Sequence, residues 1–243
     1  MNVSADLDSD TGEESDTASA PGLVVAIDGP SGAGKSSASR GAATALGLHY
    51  LDTGSMYRAL TWWLMDRGTD TTDAGTVGAL AAVPHIEVGT DPRAPWVRVD
   101  GTDVTSLIRT REVTDAVSAV AAVPRVRAHL IAQQRDIIAK TGRIVAEGRD
   151  IGTVVAPDAP VKVYLTAQGA ERASRRAAET SRPAAATQID QDRRDRLDAA
   201  QSGKAADAVE IDSTDLSLDQ VIDVIARLAR EYSTLPYPRQ QSR

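Results

Sequence analysis

The residues with the clearest capacity for chemistry form a short glycine-rich loop, GPSGAGKSS, directly after an apolar run. The loop fits the pattern G-x-x-x-x-G-K-[ST], whose glycines let the backbone wrap around a phosphate with its N–H groups pointing inward. The lysine can place a compact charge on the β- and γ-phosphates, and the following serine hydroxyl can hold Mg²⁺. The pattern therefore predicts a nucleoside triphosphate site, with Ser36 as metal ligand, built from Gly29, Pro30, Ser31, Gly32, Ala33, Gly34, Lys35, Ser36 and Ser37.

The sequence on either side of the loop supports this interpretation. LVVAID, residues 23–28, is typical of a buried strand, and an alanine-rich helix is predicted over 36–46 with Gly47 at its C-terminal cap. The N-terminal end of that helix would face the bound anion. A tight turn with a solvated lysine is the weaker alternative, because both flanking elements match. Asp28 either organises Mg²⁺ through water or caps the loop, and the sequence leaves both open.

Composition restricts the class of protein. A chain of 243 residues with 42% hydrophobic content can bury one core with a small inserted subdomain, and without cysteine it has no disulfide or thiolate metal site. No apolar run approaches the roughly 18 residues that span a membrane, and no signal-like N-terminus is present, which predicts a soluble, cytoplasmic protein without a membrane partner. Six acidic residues within 1–22 account for most of the net charge of −7 and predict a disordered tail. The near-neutral remainder argues against a nucleic-acid partner.

Strand and helix patterns alternate after residue 22, which predicts an α/β fold with a parallel sheet flanked by helices, as in P-loop NTPases. Apolar β runs at 85–88 and 96–99, followed by the Asp100-Gly101 turn, indicate an irregular antiparallel insert. The other predicted strands cover 49–51, 143–150, 161–165 and 207–212. Helices are predicted from DTGSMYR to about 67 and over 74–82, 111–123, 125–140, 170–198 and 217–232.

The type of P-loop protein follows from what accompanies the loop. The chain has no N-K-x-D run for guanine and no apolar strand ending in Asp-Glu or Asp-Asp, as a motor ATPase would have. Its arginines cluster in helices downstream of the loop. Because a small-molecule kinase must neutralise two sets of phosphates, and arginine binds phosphate oxygens bidentately, this clustering favours a kinase.

Several runs together resemble the bacterial cytidylate kinases, over nearly all of residues 23–232. The most specific is EGRDIGTVV beside PDAPVKVYL, since many families share the P-loop. The other runs are IDGPSGAGKSS, LDTGSMYR, DVTSLIRT, AVSAVAAVPRVRAHLIAQQR and DAVEIDST. The resemblance implies a monomeric enzyme that uses ATP and Mg²⁺ to convert CMP and dCMP to CDP and dCDP by in-line phosphoryl transfer. It also implies a core (23–52, 143–170, 203–232), an inserted NMP-binding subdomain (about 53–142), a small lid (about 171–202) and a tail (233–243).

The same resemblance assigns roles to residues outside the loop. Thr53 and Arg58 would hold the acceptor phosphate, Ser118, Arg127 and Asp150 would read the cytosine edge, and Arg149 would contact phosphate. Arg175 and Arg176 would fold over ATP, while Arg194 and Asp198 would reach the acceptor's sugar or phosphate. The catalytic set is then Lys35, Arg58, Arg149, Arg175 and Arg194. The structural alternatives are exposed helix arginines, a helix-packing Ser118, and a salt bridge between Arg149 and Asp150.

One segment departs from the family pattern R-D-x-x-D-x-x-R. RDRLDAAQ ends in Gln201 where the last arginine is expected, and the following SGKAADA is short, although Lys204 offers a replacement charge. Two other interpretations therefore stay open: a P-loop kinase with another acceptor, such as a different nucleotide or shikimate, and a catalytically weakened nucleotide-binding module.

Overall fold

The computed structural model describes residues 22–180 and 184–234, except for the side chains of 176, 179, 180, 184–187, 200 and 234. The predicted disordered segment 1–22 and the tail 233–243 lie almost wholly outside the described residues. Within these two ranges, no helix is both long and apolar enough to cross a membrane.

The strands, in chain order, are β1 (Leu23–Asp28), β2 (His49–Asp52), β3 (Ile86–Val88), β4 (Val97–Val99), β5 (Thr102–Asp103), β6 (Arg143–Gly148), β7 (Val161–Thr166) and β8 (Val209–Asp212). The α-helices are α1 (Lys35–Leu46), α2 (Thr53–Asp66), α3 (Ala74–Leu80), α4 (Arg111–Ala121), α5 (Pro124–Thr141), α6 (Gly169–Thr180), α7 (Ala184–Asp198) and α8 (Leu218–Thr234). Short 3-10 helices cover Leu107–Arg109 and Ala199–Gln201, and a π-helix covers Ile151–Val155.

Five strands form a parallel sheet in the order β2-β6-β1-β7-β8, which confirms the α/β prediction. Strand β1 lies at its centre, where Asp28 is level with Gly148 of β6. On the next pairing, Asp52 of β2 is level with Glu147 of β6. The carboxyl ends of these strands therefore meet at one edge, which is where open α/β sheets bind ligands.

Each face of the sheet carries its own apolar core. On one face α2, α4 and α5 pack against the sheet through buried side chains such as Leu60, Leu64 and Leu130. On the other face α1 and α8 do so, with Ile225 fully buried. Burying side chains of this size contributes about 1.5–3 kcal/mol each. The two cores hold the strand ends, and hence the loops that follow them, in fixed positions.

The predicted antiparallel insert is present as the small sheet β3-β4-β5. Its turn uses Asp100 and Gly101, both at positive φ (50° and 79°). The Asp100 carboxylate fastens the turn by accepting from the Trp63 indole N–H of α2 (2.9 Å) and the His85 backbone N–H (2.9 Å).

Three local features differ from the sequence analysis or go beyond it. The helical region expected over 170–198 consists of two helices, and Pro183, a residue that lacks an N–H and disfavours a helix interior, stands between them in the sequence. The helix expected to reach 123 ends at Ala121, because the residue before Pro124 takes an extended conformation (ψ 120°). The π-helix was not predicted.

Candidate active site

A large cleft, of about 1210 Å³, opens at the carboxyl ends of β1, β2 and β6. Ordinary small-molecule pockets measure about 300–1,000 Å³, so the cleft has room for more than one small ligand. Most of the predicted site residues line it: Ser31, Gly32, Ala33, Gly34, Lys35, Ser36, Ser37, Thr53, Arg58, Ser118, Arg127, Arg149, Asp150, Arg175, Arg194 and Asp198. The chain thus brings together side chains from segments far apart in sequence.

The glycine-rich loop connects β1 to α1 and approaches its neighbours closely. A Cβ at Gly29 would lie 2.0 Å from the Leu165 carbonyl oxygen of β7, so only glycine fits there. Gly32 and Gly34 have φ of 78° and 85°, which a side chain would strain. The sequence therefore needs glycine at these three positions to wrap the loop at the strand end.

Lys35 lies at the N-terminus of α1 and is buried. Its ammonium donates hydrogen bonds to the carbonyl oxygens of Gly29 and Pro30, each 2.8 Å long. Gly29 and Pro30, which were predicted to bind the nucleotide, do not line the cleft, and their carbonyls orient the lysine instead. Burial lowers the pKa of Lys35, and the charge of Arg149 lowers it further.

Glu147, at the end of β6, is a site residue that the sequence analysis missed. It is buried and accepts a hydrogen bond from the Tyr50 hydroxyl, and its side chain interacts with Ser36 and Lys35. Burial raises the pKa of Glu147, and the nearby Asp52 charge adds to the shift. The apolar run before it was visible, but only the strand order shows that β6 adjoins the P-loop strand.

The residues around Ser36 fit a magnesium ion. Among the described residues, no group of three or more His, Cys, Asp or Glu side chains could hold a metal by itself. Mg²⁺, however, keeps several waters and binds through one or two carboxylates plus substrate phosphates. The Ser36 hydroxyl beside the buried Glu147 carboxyl, with Asp52 nearby, matches that requirement.

The Asp28 carboxylate binds the segment that follows β6. Its two carboxylate oxygens accept from the backbone N–H groups of Ile151 and Gly152, both at 2.8 Å. It therefore caps the start of the π-helix, and burial raises its pKa. Of the two roles left open by the sequence, the structure supports a capping role, at the π-helix rather than the phosphate loop.

The three predicted base-reading residues, Ser118, Arg127 and Asp150, all line the cleft. Arg127 of α5 forms an ion pair with Asp150, whose side chain is 9% exposed. Ser118 of α4 is also buried, and its hydroxyl has no hydrogen-bond partner among the described residues. A buried hydroxyl without a partner is costly, so this position suits a polar ligand atom.

The predicted phosphate-binding residues of α2 are held by main-chain groups. The Thr53 hydroxyl donates to the Glu147 carbonyl oxygen (2.7 Å). Arg58 donates to the Ile108 carbonyl (3.1 Å) and the Thr114 hydroxyl (2.8 Å), so it is a braced side chain and not an exposed helix arginine.

Arg149 and Asp150 are neighbours in sequence but have different partners. Arg149 donates to the Gly29 carbonyl (2.9 Å) and pairs with Asp198 at 3.3 Å. Asp150 pairs with Arg127 instead. The alternative of a mutual salt bridge is therefore wrong, and Arg149 lies between the phosphate loop and the end of α7.

Helices α6 and α7 cover the phosphate loop. Arg175 is tied to Glu171 (2.9 Å) and to the Ser213 carbonyl (2.7 Å), while Arg194 donates to the Ser31 hydroxyl (3.3 Å). The side chain of Arg176 lies outside the described part of the structure. Lys204 pairs with the exposed Glu210 (2.8 Å) and does not line the cleft, so it does not replace the missing arginine.

Two further contacts between α6, α7 and the phosphate loop were missed by the sequence analysis. The Asp195 carboxylate accepts from the Ser31 backbone N–H (3.2 Å) and pairs with Arg172 (2.6 Å), which also donates to the Ser31 carbonyl (2.8 Å). Gln191 packs against Gly32, where a Cβ would lie 2.3 Å from its amide nitrogen. In sequence these are ordinary polar residues of a charged helix, and only the fold places them on the loop.

The chain is similar in sequence to known cytidylate kinases. The family model for cytidylate kinase matches residues 25–231. A cytidylate kinase of Streptomyces avermitilis is 50% identical over 218 residues, covering 87% of this chain and 94% of the relative. One from Nocardia farcinica is 49% identical over 222 residues (87% and 96%), and one from Mycobacterium avium is 46% identical over 220 residues (87% and 96%). The chain belongs to the cytidylate kinase family.

Proposed function

We propose that this chain transfers the γ-phosphoryl group of ATP to CMP and dCMP in the presence of Mg²⁺. The observation that carries the proposal is that one cleft is lined both by the phosphate loop and by the set Ser118, Arg127 and Asp150, of which Ser118 and Asp150 are buried. Arg149 and Arg194 line the same cleft and contact the phosphate loop, where they provide positive charge. Transfer between two nucleotides needs this arrangement, because the reacting phosphates must meet between their binding sites.

At the donor end, Lys35 would exchange its two carbonyl partners for β- and γ-phosphate oxygens. Ser36 would ligate Mg²⁺ directly, and Glu147 would act on the ion's water shell. When bound, Mg²⁺ would supply positive charge that offsets the negative charge of the phosphates. Arg175, whose guanidinium lies 3.8 Å from a Cβ built at Gly34, would contact the ATP phosphates over the loop. Arg176 would extend this contact.

At the acceptor end, the cytosine amino group would donate to Asp150, while Arg127 and Ser118 would donate to N3 and O2. A base with a different donor pattern would leave the buried Ser118 hydroxyl without a partner, which costs about 1–3 kcal/mol. Thr53, Arg58 and Arg149 would hold the acceptor phosphate, and Asp198 the ribose hydroxyls. Ser118, Arg127 and Asp150 would contact only the base, which CMP and dCMP share, and Asp198 would still have the 3′-hydroxyl of dCMP, so both nucleotides would be accepted.

The acceptor phosphate oxygen is itself the nucleophile. It attacks the γ-phosphorus in line, the bond from that phosphorus to the β-phosphate oxygen breaks, and ADP leaves. No general base is required, so Lys35, Arg58, Arg149, Arg175 and Arg194 act by alignment and by stabilising charge. The proposed lid (171–202), which already contacts the loop through Asp195, would exclude water from the transfer. We also propose that the protein acts as a monomer, since one chain supplies every proposed site residue. Its proposed location is the cytoplasm.

The test is ADP release from ATP and Mg²⁺ with CMP, dCMP, UMP, AMP, GMP and shikimate as acceptors. We expect fast turnover with CMP and dCMP, and its loss in Lys35→Ala. Turnover with a different acceptor alone would refute the base assignment while keeping the kinase. ATP binding without turnover on any acceptor would instead identify a nucleotide-binding module without this activity.

A further inference from the structure

Gln201 lies where the lid meets the proposed base-reading site. It ends the 3-10 helix that follows α7, and it lines the cleft. Its side-chain oxygen Oε1 is 3.4 Å from Nη1 of Arg127, on α5. The other terminal nitrogen of Arg127, Nη2, pairs with Asp150. Gln201 and Asp150 thus hold the two ends of one guanidinium.

We propose that Gln201 is a specificity-determining positioning residue, which acts through Arg127 and not on the acceptor phosphate. The inference rests on the proposed function, because it takes Arg127 as the residue that reads the pyrimidine. The amide of Gln201 fixes the plane of the Arg127 guanidinium, so that its donors face N3 and O2 of the base.

The chemistry of the two side chains determines this role. A guanidinium has only donors, so the end of the Gln201 amide that faces Arg127 must be the carbonyl oxygen. A second arginine at position 201 could not make this contact and would bring a like charge close to Arg127. The neutral amide is therefore compatible with the Arg127–Asp150 pair, whereas a cation directed at Arg127 is not.

The contact also connects two parts of the fold. Gln201 follows α7, which covers the phosphate loop through Asp195, whereas Arg127 belongs to the helical layer opposite. A second contact supports this placement of α7, because Arg193 pairs with Asp115 of α4 at 3.2 Å. Arg127 is therefore fully fixed only when α7 occupies this position, which couples base recognition to closure over the nucleotide.

The experiment measures CMP affinity by calorimetry, and KM and kcat for CMP and UMP, in three variants at position 201. Gln201→Glu keeps a hydrogen-bond acceptor oxygen for Arg127, and its affinity for CMP should stay within about twofold of that of the native protein. Gln201→Ala loses one hydrogen bond and should weaken CMP by about 2–10-fold with a smaller effect on UMP. Gln201→Arg should weaken CMP more than alanine does. Gln188→Ala changes an exposed glutamine of the preceding helix α7; it is the matched control and should leave CMP affinity, KM and kcat unchanged.

The opposite order would overturn the inference. If Gln201 stands at a phosphate-binding position, arginine should tighten CMP and glutamate should weaken it. A double-mutant cycle adds a second criterion: in an Arg127→Ala background the effect of Gln201→Ala should vanish, and an undiminished effect would show that Gln201 acts independently. If the native protein does not bind CMP, the proposed function fails and this inference with it. If it binds CMP but the variants rank in the opposite order, only this inference fails.

Discussion

Replacement of Asp28 tests whether its carboxylate caps the π-helix or organises Mg²⁺. The side chain is 4% exposed, and both oxygens accept backbone N–H groups, from Ile151 and Gly152, at 2.8 Å. In Asp28→Ala both N–H groups would be buried without a partner, at about 1–3 kcal/mol each. We expect a loss of roughly 2–6 kcal/mol of unfolding free energy, a large part of the 5–15 kcal/mol typical of a domain.

The assay is urea unfolding followed by circular dichroism, without nucleotide or metal, at constant m-value. Asp28→Asn keeps one acceptor oxygen but turns an amide N–H₂ toward the second backbone donor. It should therefore lose roughly half as much unfolding free energy as Asp28→Ala. Asp158→Ala removes an exposed aspartate just beyond the same π-helix and should stay within about 0.5 kcal/mol.

One result would refute the capping argument. Suppose that Asp28→Ala unfolds at the same urea concentration as the native protein, while its turnover requires much more Mg²⁺. Asp28 would then serve the metal, and the two backbone contacts would contribute little to stability. The cap also predicts a secondary effect, since the π-helix directly follows Arg149 and Asp150. A loosened π-helix should weaken CMP more than ATP.

Three other changes probe the site directly. Arg127→Ala loses one or more charge-assisted hydrogen bonds, so it should weaken CMP binding by about 10–150-fold and leave ATP affinity within about twofold. If calorimetry shows an equal loss of affinity for both nucleotides, Arg127 does not read the base. Glu147→Gln should raise the Mg²⁺ concentration for half-maximal turnover by about tenfold with an unchanged KM for CMP, and the reverse pattern would remove Glu147 from the metal site. Burial lowers the pKa of Lys35 and a bound phosphate would raise it, so ATP binding should take up protons and weaken as the pH rises. The arginine in Lys35→Arg stays protonated, so this variant should take up fewer protons when ATP binds. Calorimetry in buffers of different ionisation enthalpy measures the uptake, and equal uptake by the two proteins would contradict the argument.

The elements that the sequence predicted well are those whose signals are local. β1 has the predicted bounds, Leu23–Asp28, because a continuous apolar run ends at a glycine. The predicted end of α1 is confirmed, since Gly47 has the left-handed φ (62°) that caps a helix. The glycine-rich loop is equally local, and its neighbours are close enough to require glycine.

The π-helix, by contrast, depends on a contact that no local pattern contains. Its first N–H groups are capped by Asp28, which lies 123 residues earlier in the chain. The role of Glu147 depends in the same way on strand order, since β6 reaches the phosphate loop only because it pairs with β1. Partner choice was also hidden: Arg149 and Asp150 read as a possible pair, yet each binds a residue from another segment.

The protein partners of the remaining cations explain why the absence of an arginine at position 201 is compatible with phosphoryl transfer. The proposed phosphate-binding cations already have protein partners: Lys35 has two carbonyls, Arg149 a carbonyl and Asp198, and Arg58 a carbonyl and a hydroxyl. A phosphate therefore replaces existing bonds, and each cation contributes only the difference between its two sets of partners. Such a difference is smaller than the full strength of an arginine–phosphate pair. The absence of one cation among several should accordingly weaken binding of the acceptor nucleotide without abolishing phosphoryl transfer. Position 201 is therefore free to hold an amide that fixes Arg127.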